Sequence, residues 1–143
     1  MIGFTKVFAK ETVKTIEYAE YIEYTAPHIL IVDDEVLLCK ELVQYLRWRG
    51  HRANYQSDPA ESVAIIEREK PQAILVDINM QGLNGTRLVE IVQNLGYNGA
   101  VLLMSADPHA VFRANTEKAN VLCVLEKPIP MAALERYVRA VLV

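Results

Sequence analysis

Ala73-Ile74-Leu75-Val76-Asp77-Ile78-Asn79 is an apolar run that ends abruptly in a carboxylate. Lys70-Pro71 precedes it and Gly82-Leu83-Asn84-Gly85 follows, so turn-forming residues fence a run that is short and β-branched. Such a run reads as a strand buried on both faces, with Asp77 at its C-terminal end. In an open parallel sheet that end is where loops converge and ligands collect. Three further runs end in polar groups that complement it. His28-Ile29-Leu30-Ile31-Val32 leads into Asp33-Asp34, Ala100-Val101-Leu102-Leu103-Met104 into Ser105, and Val121-Leu122-Cys123-Val124-Leu125 into Glu126-Lys127-Pro128.

Outward from that strand, strands and helices alternate. Leu38, Cys39, Leu42, Val43, Tyr45 and Leu46 recur at helical spacing over residues 35–49, and Gly50 supplies a C-terminal stop. A weak strand follows at residues 52–56. Asp58 then offers an N-cap ahead of Pro59, opening a helix with Val63, Ile65 and Ile66 on its buried side. Beyond the central strand, Leu88, Val89, Ile91 and Val92 mark a helix from about Thr86 to Leu95. Asp107-Pro108 opens a helix with Val111 and Phe112, and Pro130 starts a last one carried by Leu134, Tyr137, Val138 and Val141. Five strands alternating with five helices through short connections predict an α/β fold: a doubly wound parallel sheet with right-handed crossovers and helices on both faces.

The chain of 143 residues fits one domain with its own core, and 52% apolar and 23% charged residues are those of an ordered globular protein. No run approaches the ~20 apolar residues needed to cross a bilayer, and residues 1–26 lack a secretory pattern, so membrane insertion is not expected and a cytoplasmic location is. A net charge of −3 without a Lys/Arg cluster argues against direct nucleic-acid binding. Cys39 and Cys123 lie in apolar patterns without metal spacing and read as core thiols. His28, His51 and His109 are not grouped as ligands.

Residues 1–26 stand apart and stop at Ala26-Pro27. Phe4, Val7, Phe8, Tyr18, Tyr21 and Ile22 fit one helical face, which predicts a helical extension suited to docking or to forming a homodimer. A plain leader is the other reading. The remaining domain spans 27–143.

If Asp33, Asp34 and Asp77 met at adjacent strand ends, each pair ~5 Å apart would repel by about 3 kcal/mol at an effective dielectric near 20. A hard divalent cation removes the conflict, and Mg²⁺ suits carboxylates, a backbone carbonyl and waters. Lys127 adds a fixed positive charge and Ser105 a hydroxyl. The combination leaves Asp77 as a nucleophile suited to accepting a phosphoryl group.

The ordered set Asp33-Asp34, Asp77, Gly85, Ser105-Ala106 and Lys127-Pro128 resembles the response-regulator receiver domain of two-component signalling, over about residues 28–143. The resemblance implies a flavodoxin-like sheet of strand order 2-1-3-4-5. It implies that Asp77 is the phosphoacceptor, that Asp33, Asp34, Asp77 and the Asn79 carbonyl hold Mg²⁺, and that Ser105 and Lys127 contact the phosphoryl group. The Lys127-Pro128 peptide is commonly cis in the family. Asn79 and Asp107, two positions after the acceptor and after Ser105, would tune dephosphorylation. The implied partners are a histidine kinase or phosphotransfer protein and a downstream protein target or output domain. The expected function is a phosphorylation-driven signalling module, not an enzyme beyond its own phosphorylation and dephosphorylation.

Three departures stand out. Gln81 occupies the place of a frequent Pro, Ser105 that of a frequent Thr, and Val124 that of the aromatic that usually swings inward on phosphorylation. Val124 therefore leaves open a receiver-like binding module that is not switched by phosphorylation. An aspartyl-phosphate phosphohydrolase would place its nucleophile on the first strand with a second Asp two residues on, whereas here the third strand carries it and Asn79 follows. A flavodoxin-like cofactor carrier would need a Ser/Thr/Gly-rich loop after the first strand, and none is present. The chain ends within its last helix, consistent with a stand-alone receiver or a piece of a longer protein.

Overall fold

In the computed structural model, described over residues 28–107, 109 and 121–142, the elements run β1 (Ile29–Val32), α1 (Val36–Trp48), β2 (Ala53–Gln56), α2 (Pro59–Glu69), β3 (Ala73–Asp77), α3 (Gly85–Asn94), β4 (Ala100–Ser105), β5 (Val121–Glu126) and α4 (Met131–Val141). The five strands form one sheet in the order β2-β1-β3-β4-β5, with every pairing parallel, as expected. The helix expected between β4 and β5, and the 1–26 extension, lie outside the described residues.

The continuous apolar runs follow from burial on both faces. Successive side chains of a strand point to opposite sides. Ile29 and Ile31, Ala73 and Leu75, and Leu102 and Met104 join one core with Cys39, Leu42 and Leu46 of α1 and Leu134 and Val138 of α4. Leu30 and Val32, Ile74 and Val76, and Val101 and Leu103 join the other, with Ile66 of α2 and Leu88, Val89 and Val92 of α3. Each fully buried Leu or Ile contributes on the order of 2–3 kcal/mol, so the central strands are held from both sides. β2 and β5 are the edge strands, which is why Asn54 and Leu122 are exposed.

Local signals set the helix ends. The Asp58 carboxylate accepts the Ala60 N–H at 3.0 Å with Pro59 in the first turn, and Asn84 Oδ1 accepts the Thr86 N–H at 2.8 Å. Gly50, with φ 93°, follows the end of α1, where its N–H donates to the Arg47 carbonyl at 2.9 Å. Two inward positions differ from expectation. On α4, Tyr137 is exposed and Glu135 is buried instead, and on α2 the buried pair is Ser62 and Ile66, with Val63 and Ile65 only half-buried.

Glu135 tolerates burial because cations surround it. Its carboxylate accepts from Arg139 at 2.7 and 2.9 Å, lies 3.1 Å from His51 Nε2 and pairs with Arg49 at 3.6 Å. The His51 hydrogen bond, with the arginines, holds its carboxyl below the usual range despite burial. Ser62 is satisfied locally, its Oγ donating to the Asp58 carbonyl at 3.1 Å.

Candidate functional site

Parallel register brings the polar strand ends to one edge. Val32 pairs with Val76, so Asp33 and Asp77 emerge side by side, and Asp77 in turn pairs with Met104, the neighbour of Ser105. Ser105 pairs with Glu126, and the Lys127 N–H donates to the Ser105 carbonyl at 2.8 Å. Lys127 is thereby stitched to the end of β4, and its peptide bond to Pro128 is cis.

Asp33 is 0% exposed and Asp77 4%, while Asp34 is exposed at the mouth. Carboxylate oxygens of all three lie within 4.8 Å of one another. Lys127 Nζ donates to Asp33 Oδ2 at 2.7 Å, to Asp77 Oδ2 at 3.3 Å and to Glu35 Oε1 at 3.4 Å. Backbone donors complete the fixing of the acids. Glu35 N–H reaches Asp33 Oδ1 at 2.9 Å, Asn79 N–H reaches Asp77 Oδ1 at 3.2 Å, and Gln81 N–H reaches Asp34 Oδ2 at 3.0 Å.

Burial, and then the charge of Asp33, push the Asp77 carboxyl up from 3.8 to about 6, against the opposing pull of Lys127. The Lys127 ammonium responds oppositely. Burial works to lower it but is outweighed by the hydrogen bond and charge of Asp33 and by Asp77, so the group is held above its ordinary value. One lysine among three carboxylates leaves the pocket short of positive charge. An all-oxygen donor set of this kind suits a hard divalent cation.

Ser105 is buried and its hydroxyl is fully engaged: it accepts from the Asp107 N–H at 3.0 Å and from Asn79 Nδ2 at 3.3 Å, and donates to the Asp107 carbonyl at 3.3 Å. Asn79 and Asp107 therefore meet through Ser105. Asp107 Oδ1 also accepts the His109 N–H at 2.9 Å. Val124 is half-buried against the core shared with α2 and α3.

Glu35, Gln81 and Cys39 make contacts that residue type does not announce, and Gly85, already part of the ordered set, gains its physical reason. Glu35 continues the acidic pair and would be taken for a helix cap, yet its side chain makes no capping bond and lies beside Lys127. Gln81 matters through its N–H, which a proline in that place would lack. Gly85 lies under Asp77, where a Cβ would stand 2.1 Å from the Asp77 carbonyl oxygen and 2.9 Å from Ile78 Cα. Cys39 Sγ, with its thiol pushed up to about 12 by burial and then by Asp33, donates to the Asp33 carbonyl at 3.2 Å. Cys123 is half-buried, its thiol raised to about 11 by burial, so both cysteines serve as packing thiols.

Comparison with known proteins identifies the family and the fold. The response regulator receiver domain family matches residues 29–139. The transcriptional regulatory protein PrrA of Mycobacterium tuberculosis is 30% identical over 118 residues, covering 82% of this chain and 51% of PrrA. HptR of Staphylococcus aureus, also a transcriptional regulatory protein, is 30% identical over 110 residues, covering 75% of this chain and 43% of HptR. The chain thus spans about half the length of the curated relatives it matches. Among solved structures, the receiver domain of the Francisella response regulator 1452 superposes with a TM-score of 0.73 at 21% identity, covering 81% of this chain and 96% of that one. The Vibrio cholerae chemotaxis protein CheY4 gives 0.72 at 19%, covering 79% and 96%. Among the described residues no helix is long and apolar enough to cross a membrane. The chain belongs to the response regulator receiver domain family, the signalling module of two-component systems.

Proposed function

We propose that this receiver is switched by phosphorylation at Asp77, with a histidine kinase or a phosphotransfer protein as donor. The observation that carries this is the position of Lys127 Nζ, which bonds both Asp33 and Asp77 at the rim of a three-carboxylate pocket. In the transfer, an Asp77 carboxylate oxygen forms a bond to phosphorus as the bond from phosphorus to the donor breaks, and the donor leaves with that electron pair. Asp33, Asp34, Asp77 and the Asn79 carbonyl would hold Mg²⁺, which when bound supplies the positive charge that the carboxylates and the phosphoryl oxygens share. Lys127 neutralises the phosphoryl group from the other side.

The Ser105 hydroxyl reaches the phosphoryl group by exchanging its bond to the Asp107 carbonyl, which moves the loop after β4. Asn79 and Asp107, both bonded to Ser105 before the reaction, become available to orient the hydrolytic water, so substituting either alters the phosphorylated lifetime. The loop movement passes the signal to a downstream protein target or an output domain. Residues 27–143 form this module, with 1–26 as a docking or dimer extension.

The test is incubation with Mg²⁺ and acetyl phosphate, or with the mimic beryllium fluoride, followed by intact mass and oligomeric state, with Asp77→Asn as control. A phosphoryl mass increment in the wild type that is lost in Asp77→Asn supports the reading. No increment and no response to the mimic would transfer the chain to the unswitched binding modules, the alternative that Val124 leaves open.

A further inference from the structure

On the phosphoacceptor reading of Asp77, we infer that Glu35 is a displaceable third partner of Lys127, which holds the ammonium before phosphorylation and competes with the phosphoryl group for it. An ammonium has three N–H donors, and here each has a carboxylate within reach: Asp33 at 2.7 Å, Asp77 at 3.3 Å and Glu35 at 3.4 Å. Glu35 stands at the N-cap of α1, where a carboxylate could accept backbone N–H groups, yet its side chain makes no capping bond. Its own N–H is fixed to Asp33 Oδ1 at 2.9 Å, which anchors the backbone that carries the side chain across the pocket mouth.

The three partners differ in how readily they release. Asp33 is buried and makes the shortest bond, and Asp77 is the reacting group. The Glu35 side chain is 65% exposed and makes the longest contact, so water takes over its oxygens at little cost when Lys127 turns away. The donor freed for a phosphoryl oxygen is therefore the one on Glu35. Until it is freed, Glu35 places one further negative charge beside the path of an incoming anion. Glu35 is thus a positioning residue that acts through Lys127.

The experiment measures the dissociation constant of beryllium fluoride, at saturating Mg²⁺, for the full chain and for Glu35→Gln, Glu35→Asp and Glu41→Gln. Glu41 is an exposed carboxylate further along α1 and serves as the charge control. Glu35→Gln is expected to tighten binding about threefold, and the gain to shrink in high salt. Glu35→Asp, too short to hold Lys127 in the same way, should fall between wild type and Gln, and Glu41→Gln should leave the constant unchanged. An unchanged constant in Glu35→Gln, or an equal gain in Glu41→Gln, overturns the inference while leaving the phosphoacceptor reading intact. Failure of the wild type to bind the mimic at all overturns both. Thermal melting of each variant without ligand separates misfolding from the effect sought.

Discussion

Lys127 Nζ lies nearer to Asp33, at 2.7 Å, than to Asp77, at 3.3 Å. Its stronger hold is on the residue that cannot reach water, and its weaker one on the residue proposed to react. Removing one partner of a buried pair leaves an uncompensated charge. Lys127→Met should therefore destabilise the Mg²⁺-free protein by about 3 kcal/mol at pH 7.5. The loss should shrink at pH 5, where Asp77 takes up a proton. Urea unfolding at the two pH values measures this.

Asp77 itself predicts a pH dependence. Its folded value, about 6, lies above its ordinary value of 3.8, so over that interval the folded state binds more protons than the unfolded one. Stability in the absence of metal should therefore fall as pH rises from about 4 to about 6 and level off above. Asp77→Asn should remove that slope and raise stability at pH 7.5 by about 1–3 kcal/mol. Mg²⁺ affinity should rise with pH across the same interval, because the cation competes with a proton. Denaturant titrations and calorimetry from pH 4 to 8 check each sign.

Gly85 has its reason in contact with the site. A methyl at that position meets backbone atoms of Asp77 and Ile78, which cannot swing away as a side chain end would. Gly85→Ala should cost about 2–3 kcal/mol and weaken binding of beryllium fluoride by displacing the acceptor. Gly50 provides the contrast: its φ of 93° disfavours a side chain but nothing lies within 4 Å, so Gly50→Ala should cost about 1 kcal/mol and leave the site unaffected. Paired denaturant and binding curves distinguish the two.

Gln81 tests a backbone contribution. Its N–H holds Asp34 Oδ2 at 3.0 Å, and Gln81→Pro deletes the donor while stiffening the loop. If that hydrogen bond orients Asp34 for the cation, Mg²⁺ affinity should drop about three- to fivefold. Gln81→Ala, which keeps the N–H, should bind as the wild type does. Titration calorimetry of the two variants separates the donor from the side chain.

β1, β3 and β4 were legible because burial on both faces removes polar residues from the strand and leaves them at its end. That is also why Asp33, Asp34, Asp77 and Ser105 could be named together, since each closes such a run or comes within two residues of its end, while Lys127 stands two residues past the apolar run of the edge strand β5. β2, on the sheet edge, carries Asn54 and Gln56 and reads weakly for the same physical reason. What stayed hidden depends on distant partners. Glu135 lies between buried Leu134 and exposed Arg136, and nothing near it in sequence announces His51, 84 positions away. Glu35 and Gln81 contribute through a longer reach and a main-chain hydrogen, neither of which has a residue-type signature.

The Glu135 carboxylate joins α4 to the turn that ends α1, and the two helices share one side of the sheet. It acts as a rivet between pieces that also meet through greasy contact, so sliding of either helix must drag the other or break a charged grip. That side of the molecule is built as a chassis, against which the loop movement proposed after β4 can be measured.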